Sequence, residues 1–269
     1  MNYVQTGKGK PLLLLHPLGG SSKSWNLVLN DLSSERRVIA VDLPGFGETP
    51  PSKGEVSIRT QAEAVTEFLK SKDLLGIDAA GSSSSGRLVL ELARRGGILG
   101  NVVALNPGGF WSNWQRHFFF LTLSMSARLV RLLQPAMASI TQSAVGRTLL
   151  LAQFSAHPWS LDSRQMLKEM KIFASSPSFF RLLEQLAHGE TQKGAPLGSI
   201  RPPLTIAWGR QDRVCFPSQA KRALELFPDA SLYWFESSGH FPQWDVPRET
   251  SKLILSRTGL EWGAFPAAG

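Results

Sequence analysis

Short apolar runs recur along the chain, and each ends in turn-forming residues. They lie at 12–15, 38–41, 76–80, 101–105, 204–208 and 231–235. Because parallel strands that are buried on both faces are apolar throughout, these runs predict a parallel sheet. Segments with helical spacing alternate with them, at 58–72, 84–95, 218–227 and 248–256. The alternation predicts an α/β fold in which right-handed crossovers place helices on both faces of the sheet.

The alternation of strands and helices stops between Pro107 and Pro202. The residues in between have helical spacing interrupted by several Pro and Gly residues. We therefore predict a core domain made of residues 1–110 and 199–269, with a helical insertion at residues 111–198.

Length and composition agree with one α/β domain that carries an insertion, since the chain has 269 residues of which 42% are hydrophobic. The single cysteine, Cys215, excludes an intramolecular disulfide. The N-terminal residues contain no apolar run typical of a signal peptide, so we expect a cytoplasmic location. The longest apolar stretch, 118–133, is interrupted by Arg128 and Arg131, so we expect no stable membrane insertion.

The formal net charge of +8 favours acidic partners. Residues 112–198 account for much of it, with nine Arg or Lys against four Asp or Glu. The clustered basic and aromatic pattern of a nucleic-acid-binding motif does not occur, so we expect no nucleic-acid partner. A basic insertion could attract a carboxylate or lie on a membrane surface, but a solvated helix face is the simpler interpretation.

Residues 76–95 predict a strand, a tight turn of small residues and a helix, with serines at the bend. Such a turn lifts a serine hydroxyl clear of the sheet, next to helix N-terminal amides, where a nucleophile is expected. Ser83 is the preferred candidate because Gly81 precedes it by two positions. Ser84, which has Gly86 two positions after it, stays open as the alternative.

Four further motifs accompany this turn, and with it they resemble the α/β-hydrolase superfamily. They are Leu-Leu-Leu-Leu-His-Pro-Leu-Gly-Gly at 12–20, Val-Asp-Leu-Pro-Gly-Phe-Gly-Glu-Thr at 41–49, Trp-Gly-Arg-Gln-Asp-Arg at 208–213 and Ser-Gly-His-Phe-Pro at 238–242. The resemblance implies a mostly parallel central sheet flanked by helices, with the insertion acting as a helical cap. It also implies a triad in which Ser83 is the nucleophile, His240 the general base and Asp212 the residue that orients the histidine.

The resemblance further implies an oxyanion hole made by the backbone N–H groups of Leu18 and Ser84. His16 is expected to support the loop that carries Leu18. Two residues depart from the family pattern, Pro17 after the histidine and Ser85 in place of the second glycine of the turn. Outside the triad, Asp42 is expected to tie its turn to neighbouring loops, and Asp245 to cap a helix.

Hydrolysis of a carboxylic ester is the default reaction implied by the resemblance. A cap rich in aromatic residues indicates a small apolar or aromatic ester-like substrate. The candidate pocket residues are Phe110, Trp111, Trp114 and Phe241. No cofactor or metal is implied, and the oligomeric state is left open.

Two alternatives remain. The motifs at 208–213 and 239–244 are also similar to those of meta-cleavage-product hydrolases, which cleave a carbon–carbon bond. Those enzymes carry Trp where this chain has Phe241, and a cap arginine for which Arg164 and Arg181 are candidates. From another class, the same fold could bind or cyclise a lipophilic metabolite without acyl transfer.

Overall fold

A sheet of seven strands runs through residues 1–259, the part of the chain that this computed structural model describes. The strands are β1 (Tyr3–Thr6), β2 (Pro11–Leu15), β3 (Arg37–Val41), β4 (Ile77–Ser82), β5 (Leu99–Leu105), β6 (Leu204–Gly209) and β7 (Ala230–Phe235). Their spatial order is β1-β3-β2-β4-β5-β6-β7, and every pair except β1 with β3 is parallel. All six predicted strands are present, with ends shifted by one or two residues.

Strand β1 is the element that the apolar pattern did not predict. It pairs antiparallel with β3 at the edge of the sheet, and three of its four residues are exposed. An edge strand that is largely exposed needs no continuous apolar run. Its sequence, Tyr-Val-Gln-Thr, therefore carries too weak a signal for a strand.

Helices cover both faces of the sheet, as predicted. Alternate residues of β2 show this: Leu12 and Leu14 pack with one face, and Leu13 and Leu15 with the other. On the first face lie α1 (Asn26–Glu35) and α11 (Pro247–Thr258). On the second lie α2 (Ile58–Ser71), α3 (Ser84–Arg95) and α9 (Gln219–Leu226). The mostly parallel sheet flanked by helices confirms the predicted fold class.

Five further helices lie between β5 and β6 in the sequence. These are α4 (Asn113–Leu132), α5 (Met137–Gln142), α6 (Ala144–Leu151), α7 (Ser163–Ser175) and α8 (Phe179–His188), which we call the helical insertion. A short α10 (Pro242–Asp245) precedes α11. The division into two domains stays a prediction, and residues 260–269 of the predicted core domain lie outside the described residues. In the described part of the chain no helix is long and apolar enough to cross a membrane.

One buried arginine joins elements that are distant in sequence. Arg36, which lies between α1 and β3, donates hydrogen bonds to the carbonyl oxygens of Lys10, Pro11 and Thr258. Its Nη2 also lies 2.7 Å from Oδ2 of Asp78 in β4, whose side chain is fully buried. Arg36 thus fastens β2 and β4 to the end of α11.

We predict that Arg36→Met lowers the free energy of unfolding by about 3 kcal/mol, because it breaks the buried ion pair with Asp78 and removes the hydrogen bonds that the guanidinium donates. The matched control is Arg59→Ala on α2, whose two ion pairs are about half exposed and should contribute little. Urea unfolding followed by circular dichroism measures both variants. Equal midpoints for the two variants would contradict the anchoring role of Arg36.

Candidate active site

The turn between β4 and α3 has a strained backbone at Ser83. This residue has φ 56° and ψ −114°, a conformation that residues other than glycine rarely adopt. Surrounding hydrogen bonds hold it there: its N–H donates to the Leu105 carbonyl at 2.9 Å, and its carbonyl accepts from the Arg87 N–H at 3.1 Å. The strain projects the Ser83 side chain beyond the end of the sheet.

Close packing of α3 against β4 explains the small residues around Ser83. A Cβ atom at Gly81 would lie 2.2 Å from the Ser85 carbonyl oxygen, which is an impossible contact. A Cβ atom at Gly86 would lie 3.0 Å from the Leu105 carbonyl oxygen, which is tight. The glycine two positions before Ser83 is therefore a steric requirement of this turn.

Ser85, one of the two departures from the family pattern, has a structural partner. Its buried hydroxyl donates a hydrogen bond to the carbonyl oxygen of His16. A glycine at this position could not make that bond. Ser85 therefore links the turn at Ser83 to the loop that carries Leu18.

The structure brings Ser83, His240 and Asp212 together in one hydrogen-bonded chain. The Nε2 atom of His240 lies 2.8 Å from the Ser83 Oγ. Its Nδ1 atom lies 2.9 Å from Oδ2 of Asp212 and 3.1 Å from Oδ1. All three residues are buried. Asp212 follows β6 and His240 follows β7, so parallel strands deliver all three to the same edge of the sheet.

The Asp212 carboxylate is held by further donors. Its Oδ1 accepts the N–H groups of Val214 at 2.8 Å and Cys215 at 2.9 Å. Its Oδ2 accepts Nδ2 of Asn106 at 2.6 Å, and Asn106 also donates to the Gly239 carbonyl at 3.2 Å. Sequence analysis missed Asn106, although a polar residue directly after the apolar strand β5 was a usable signal.

Cys215 lies near the same group, since potential ligand atoms of Asp212, Cys215 and His240 fall within 4.8 Å of one another. A cysteine binds a metal ion as its thiolate. Burial raises the pKa of the Cys215 thiol well above its usual range, with a further contribution from the charge of Asp212. Because the Asp212 oxygens also have their own donors, this group is poorly suited to hold a metal ion.

His16 fixes the loop that carries Leu18. Its Nε2 accepts the Leu43 N–H at 3.0 Å, and its Nδ1 lies 2.8 Å from the Pro17 carbonyl. Burial lowers the pKa of His16 to about 4, although the bond to Pro17 opposes this shift. A neutral ring that donates from Nδ1 and accepts at Nε2 fits both contacts, so His16 supports the loop as predicted.

The amides of Leu18 and Ser84 remain the predicted oxyanion hole. Within the described residues, neither N–H donates a hydrogen bond to another protein group. Leu18 and Ser83 line the same cavity. Pro17 has no N–H to offer, but its carbonyl accepts the Gly20 N–H at 2.9 Å and so helps to close the loop.

Asp42 and Asp245 both organise loops, one of them differently from the prediction. The Asp42 carboxylate accepts the N–H groups of Ser22 and Glu48, as expected for a residue that ties its turn to neighbouring loops. Burial would raise the pKa of Asp42, but these donors lower it below its usual range. The helix-capping role predicted for Asp245 is wrong, because Asp245 ends α10 and Val246 stands at the N-cap of α11.

Asp245 instead joins the helical insertion to the loop of His240. Its carboxylate accepts the N–H groups of Gly239 at 2.7 Å and Ala156 at 2.9 Å, and the hydroxyl of Ser155. The His240 N–H in turn donates to the Phe154 carbonyl at 2.8 Å. The position of His240 thus depends on a segment that is more than eighty residues away in sequence.

A largely apolar cavity opens at Ser83 and His240, between the end of the sheet and the helical insertion. Its apolar side chains are Pro17, Leu18, Leu123, Val130, Leu150, Phe154, Met170, Phe173, Phe179, Val214, Phe241 and Trp244. Of the four predicted pocket residues, only Phe241 is among them.

The other three predicted pocket residues lie elsewhere. Phe110 is buried in the core, where its ring packs against Trp208 and Phe227. Trp111 stacks on Phe119 with ring centroids 4.5 Å apart. Trp114 is 63% exposed. The prediction failed because closeness in sequence to the end of β5 does not fix the direction in which a side chain points.

Glu169 of α7 also lines the cavity, and sequence analysis missed it. Its Oε2 accepts the Ser24 hydroxyl at 2.9 Å, and its Oε1 accepts Nε2 of Gln165 at 2.9 Å. Burial raises the pKa of Glu169 to about 7, while the two donors act in the opposite direction. A glutamate in a helix with a polar face is expected in solvent, so its burial could not be predicted from spacing.

Comparison with protein families gives one match over most of the chain. A family model described as alpha/beta hydrolase fold matches residues 10–247. Among curated proteins, the dihydrolipoyllysine-residue acetyltransferase component of the acetoin cleaving system of Pseudomonas putida is 28% identical over 92% of this chain. The chain spans 63% of the length of that protein.

Two further proteins resemble the chain over nearly its full length. The 2-hydroxy-6-oxo-6-phenylhexa-2,4-dienoate hydrolase of Comamonas testosteroni is 23% identical, covering 95% of this chain and 90% of its own. The solved structure of a thermophilic esterase from Thermogutta terrifontis superimposes with a TM-score of 0.74 at 18% identity, covering 95% of this chain and 91% of that one. At this identity the structural likeness shows a shared fold.

The buried carboxyl of Glu169 predicts a pH-dependent stability. With a folded-state pKa of about 7 and an ordinary value of 4.5, the folded protein retains a proton that the unfolded chain releases. The contribution of the Glu169 carboxyl to the free energy of unfolding is complete below about pH 4.5 and is lost as the pH rises through about 7. We expect the free energy of unfolding of wild type, relative to Glu169→Gln, to fall by about 2 kcal/mol between about pH 5 and pH 8.

Urea unfolding of both proteins at the two pH values measures this difference. The matched control is Glu184→Gln, an exposed glutamate of α8, whose difference from wild type should be the same at both. A difference for Glu169→Gln that does not change with pH would show that this carboxyl is not held as described.

Proposed function

The chain belongs to the alpha/beta hydrolase fold family, and from that premise we propose that it is a serine hydrolase that cleaves a carboxylic ester of a small, largely apolar molecule. One observation carries the proposal: Ser83, His240 and Asp212 form a continuous hydrogen-bonded chain at a strained turn that opens into a cavity. Nucleophile, base and orienting group are each within reach of the next.

In this mechanism the Ser83 Oγ attacks the acyl carbon while His240 Nε2 accepts its proton. The oxyanion that forms receives hydrogen bonds from the amides of Leu18 and Ser84. His240 then gives the proton to the leaving alcohol, and an acyl-enzyme remains on Ser83. A water molecule, deprotonated by His240, attacks the acyl-enzyme, and the carboxylic acid leaves as His240 returns the proton to the Ser83 Oγ. Throughout, Asp212 keeps the ring oriented and stabilises the imidazolium.

The lining of the cavity supports an uncharged, apolar substrate. Its side chains are aliphatic or aromatic apart from Ser83, Glu169 and His240, and the described lining contains no Lys or Arg. A carboxylate bound deep in this cavity would find no cation, and desolvating an unpaired charge is costly. With a pKa raised by burial, Glu169 can offer a neutral O–H at one wall.

We propose that the helical insertion acts as a cap that sets the choice of substrate. Cavity residues come from four of its helices: Leu123 and Val130 from α4, Leu150 from α6, Met170 and Phe173 from α7, and Phe179 from α8. The core contributes the reacting groups. Exchanging side chains of the insertion would therefore change the substrate while leaving the triad intact.

Carbon–carbon bond hydrolysis is the second candidate, supported by the named activity of the Comamonas relative. Dienoates carry a carboxylate, for which a cap arginine would be the expected partner. Arg164 and Arg181 are both exposed and outside the cavity lining, and Arg181 donates to the Gly54 carbonyl instead. These placements favour ester hydrolysis over carbon–carbon bond hydrolysis.

The strained backbone of Ser83 disfavours the non-hydrolytic alternative, because a protein that only binds its ligand has no use for that strain.

Ser83→Ala should reduce turnover of short-chain p-nitrophenyl esters by about 1000-fold or more, because the nucleophile is removed. Ser84→Ala is the matched control, since it removes the neighbouring hydroxyl and keeps the amide assigned to the oxyanion hole. Initial rates of p-nitrophenol release measure both variants. Turnover that survives in Ser83→Ala, or an equal loss in Ser84→Ala, would contradict the assignment.

Asp212→Asn should lower kcat by about 1000-fold or more near neutral pH, because the amide favours the wrong tautomer of His240. Asp31→Asn, at an exposed position of α1, controls for the loss of one negative charge. Steady-state kinetics with the same esters provide the measurement. A kcat within tenfold of wild type would argue against an orienting role for Asp212.

A further inference from the structure

The outer surface of α4 is apolar. The exposed residues that make it so are Trp114, Phe118, Leu121, Met125, Leu129 and Leu132, each between 37% and 76% exposed. Their spacing of three or four residues places them in one stripe along the helix. A surface helix normally presents charged and polar residues on its outer side, so this stripe reverses the usual pattern.

This stripe does not belong to the hydrophobic core or to the cavity. Leu123 and Val130, on the opposite side of α4, line the cavity, and Phe119 and Ala127 are buried. Helix α6 also carries exposed apolar side chains, Val145 and Leu149. A hydrogen bond of 2.7 Å from Nε2 of Gln153 to the Thr122 hydroxyl joins the segment just after α6 to α4.

We call these eight exposed side chains of α4 and α6 the α4–α6 face. In the described part of the chain they are eight of the thirteen large apolar side chains that are exposed. Scattered exposed apolar residues need no explanation, but a concentration of this kind marks an interaction surface.

The segment that carries the α4–α6 face has charged residues of one sign. Residues 112–161 contain four arginines and no Asp or Glu. Arg128 and Arg131 are exposed and lie along one edge of the stripe, on the side of α4 that faces Phe180. Their guanidinium groups sit over the Phe180 ring, 5.7 Å and 4.7 Å from its centre. The partner of this face must therefore accept apolar side chains and carry negative charge.

We propose that the α4–α6 face docks peripherally on an anionic phospholipid bilayer. Amphipathic helices that lie in a bilayer interface combine Trp, Phe and Leu with basic residues in this way. The apolar side chains would enter the boundary between headgroups and acyl chains, and the arginines would meet lipid phosphates. A second copy of this chain fits less well, because a two-fold interface would bring the same basic surface against itself. The inference does not depend on the proposed hydrolase activity.

Co-sedimentation with vesicles tests the proposal. The full chain should bind vesicles that contain phosphatidylglycerol, bind vesicles of phosphatidylcholine alone much more weakly, and be released by high salt. The triple variant Leu121→Gln, Met125→Gln, Leu129→Gln should bind phosphatidylglycerol vesicles about tenfold less or weaker still. The matched control is Leu75→Gln, Leu197→Gln, which changes exposed apolar residues outside the face and should bind as wild type does.

Thermal unfolding should show nearly the same midpoint for the triple variant and wild type, because the substituted side chains are about half exposed and lie outside the core. The proposal is overturned if wild type does not bind phosphatidylglycerol vesicles, or if the triple variant binds them as well as wild type. Light scattering tests the competing occupant, a second copy of the chain. If wild type forms a dimer and does not bind vesicles, and the triple variant is a monomer, the face is a dimer interface.

Discussion

The contact between β4 and α3 at Ser83 is the constraint on which the site depends. Gly81 lies so close to the Ser85 carbonyl that no side chain fits there, and the chain must reverse through a positive φ at Ser83. That reversal aims the hydroxyl beyond the edge of the sheet where β6 and β7 also end. Asp212 and His240 then need only short loops to reach it. The parallel sheet thus does most of the positioning.

Local features of the sequence predicted the fold well, and they singled out Ser83, Asp212 and His240, which the structure brings into one hydrogen-bonded chain. Buried parallel strands appear in the sequence as apolar runs, and the turn itself requires the small residues around Ser83. Features that depend on distant contacts were not predictable in this way. Asn106 orients Asp212 across more than a hundred residues, and Asp245 fastens the loop of His240 to Ala156 of the insertion. The polar residue after β5 marked Asn106 as a candidate, but neither pairing leaves a sequence spacing that identifies the partner.

The insertion was the hardest part to predict, because its helices serve more than one surface. Helix α4 lines the cavity with Leu123 and Val130 while it presents Met125 and Leu129 to the outside. Aromatic content alone could not separate these positions, and Trp114 was assigned to the pocket although it is exposed. Glu169 was missed for the opposite reason, since glutamate is usually exposed to solvent but here lies buried at the cavity wall.

The most direct test of the central claim is to find which side chain a fluorophosphonate modifies. Four consecutive serines occupy the turn, from Ser82 to Ser85, so the labelled protein should be digested and the adduct located by tandem mass spectrometry. The geometry predicts a single adduct on Ser83, because its hydroxyl alone among the four is within hydrogen-bonding distance of His240. An adduct on Ser84, or no adduct on this turn at all, would contradict the account.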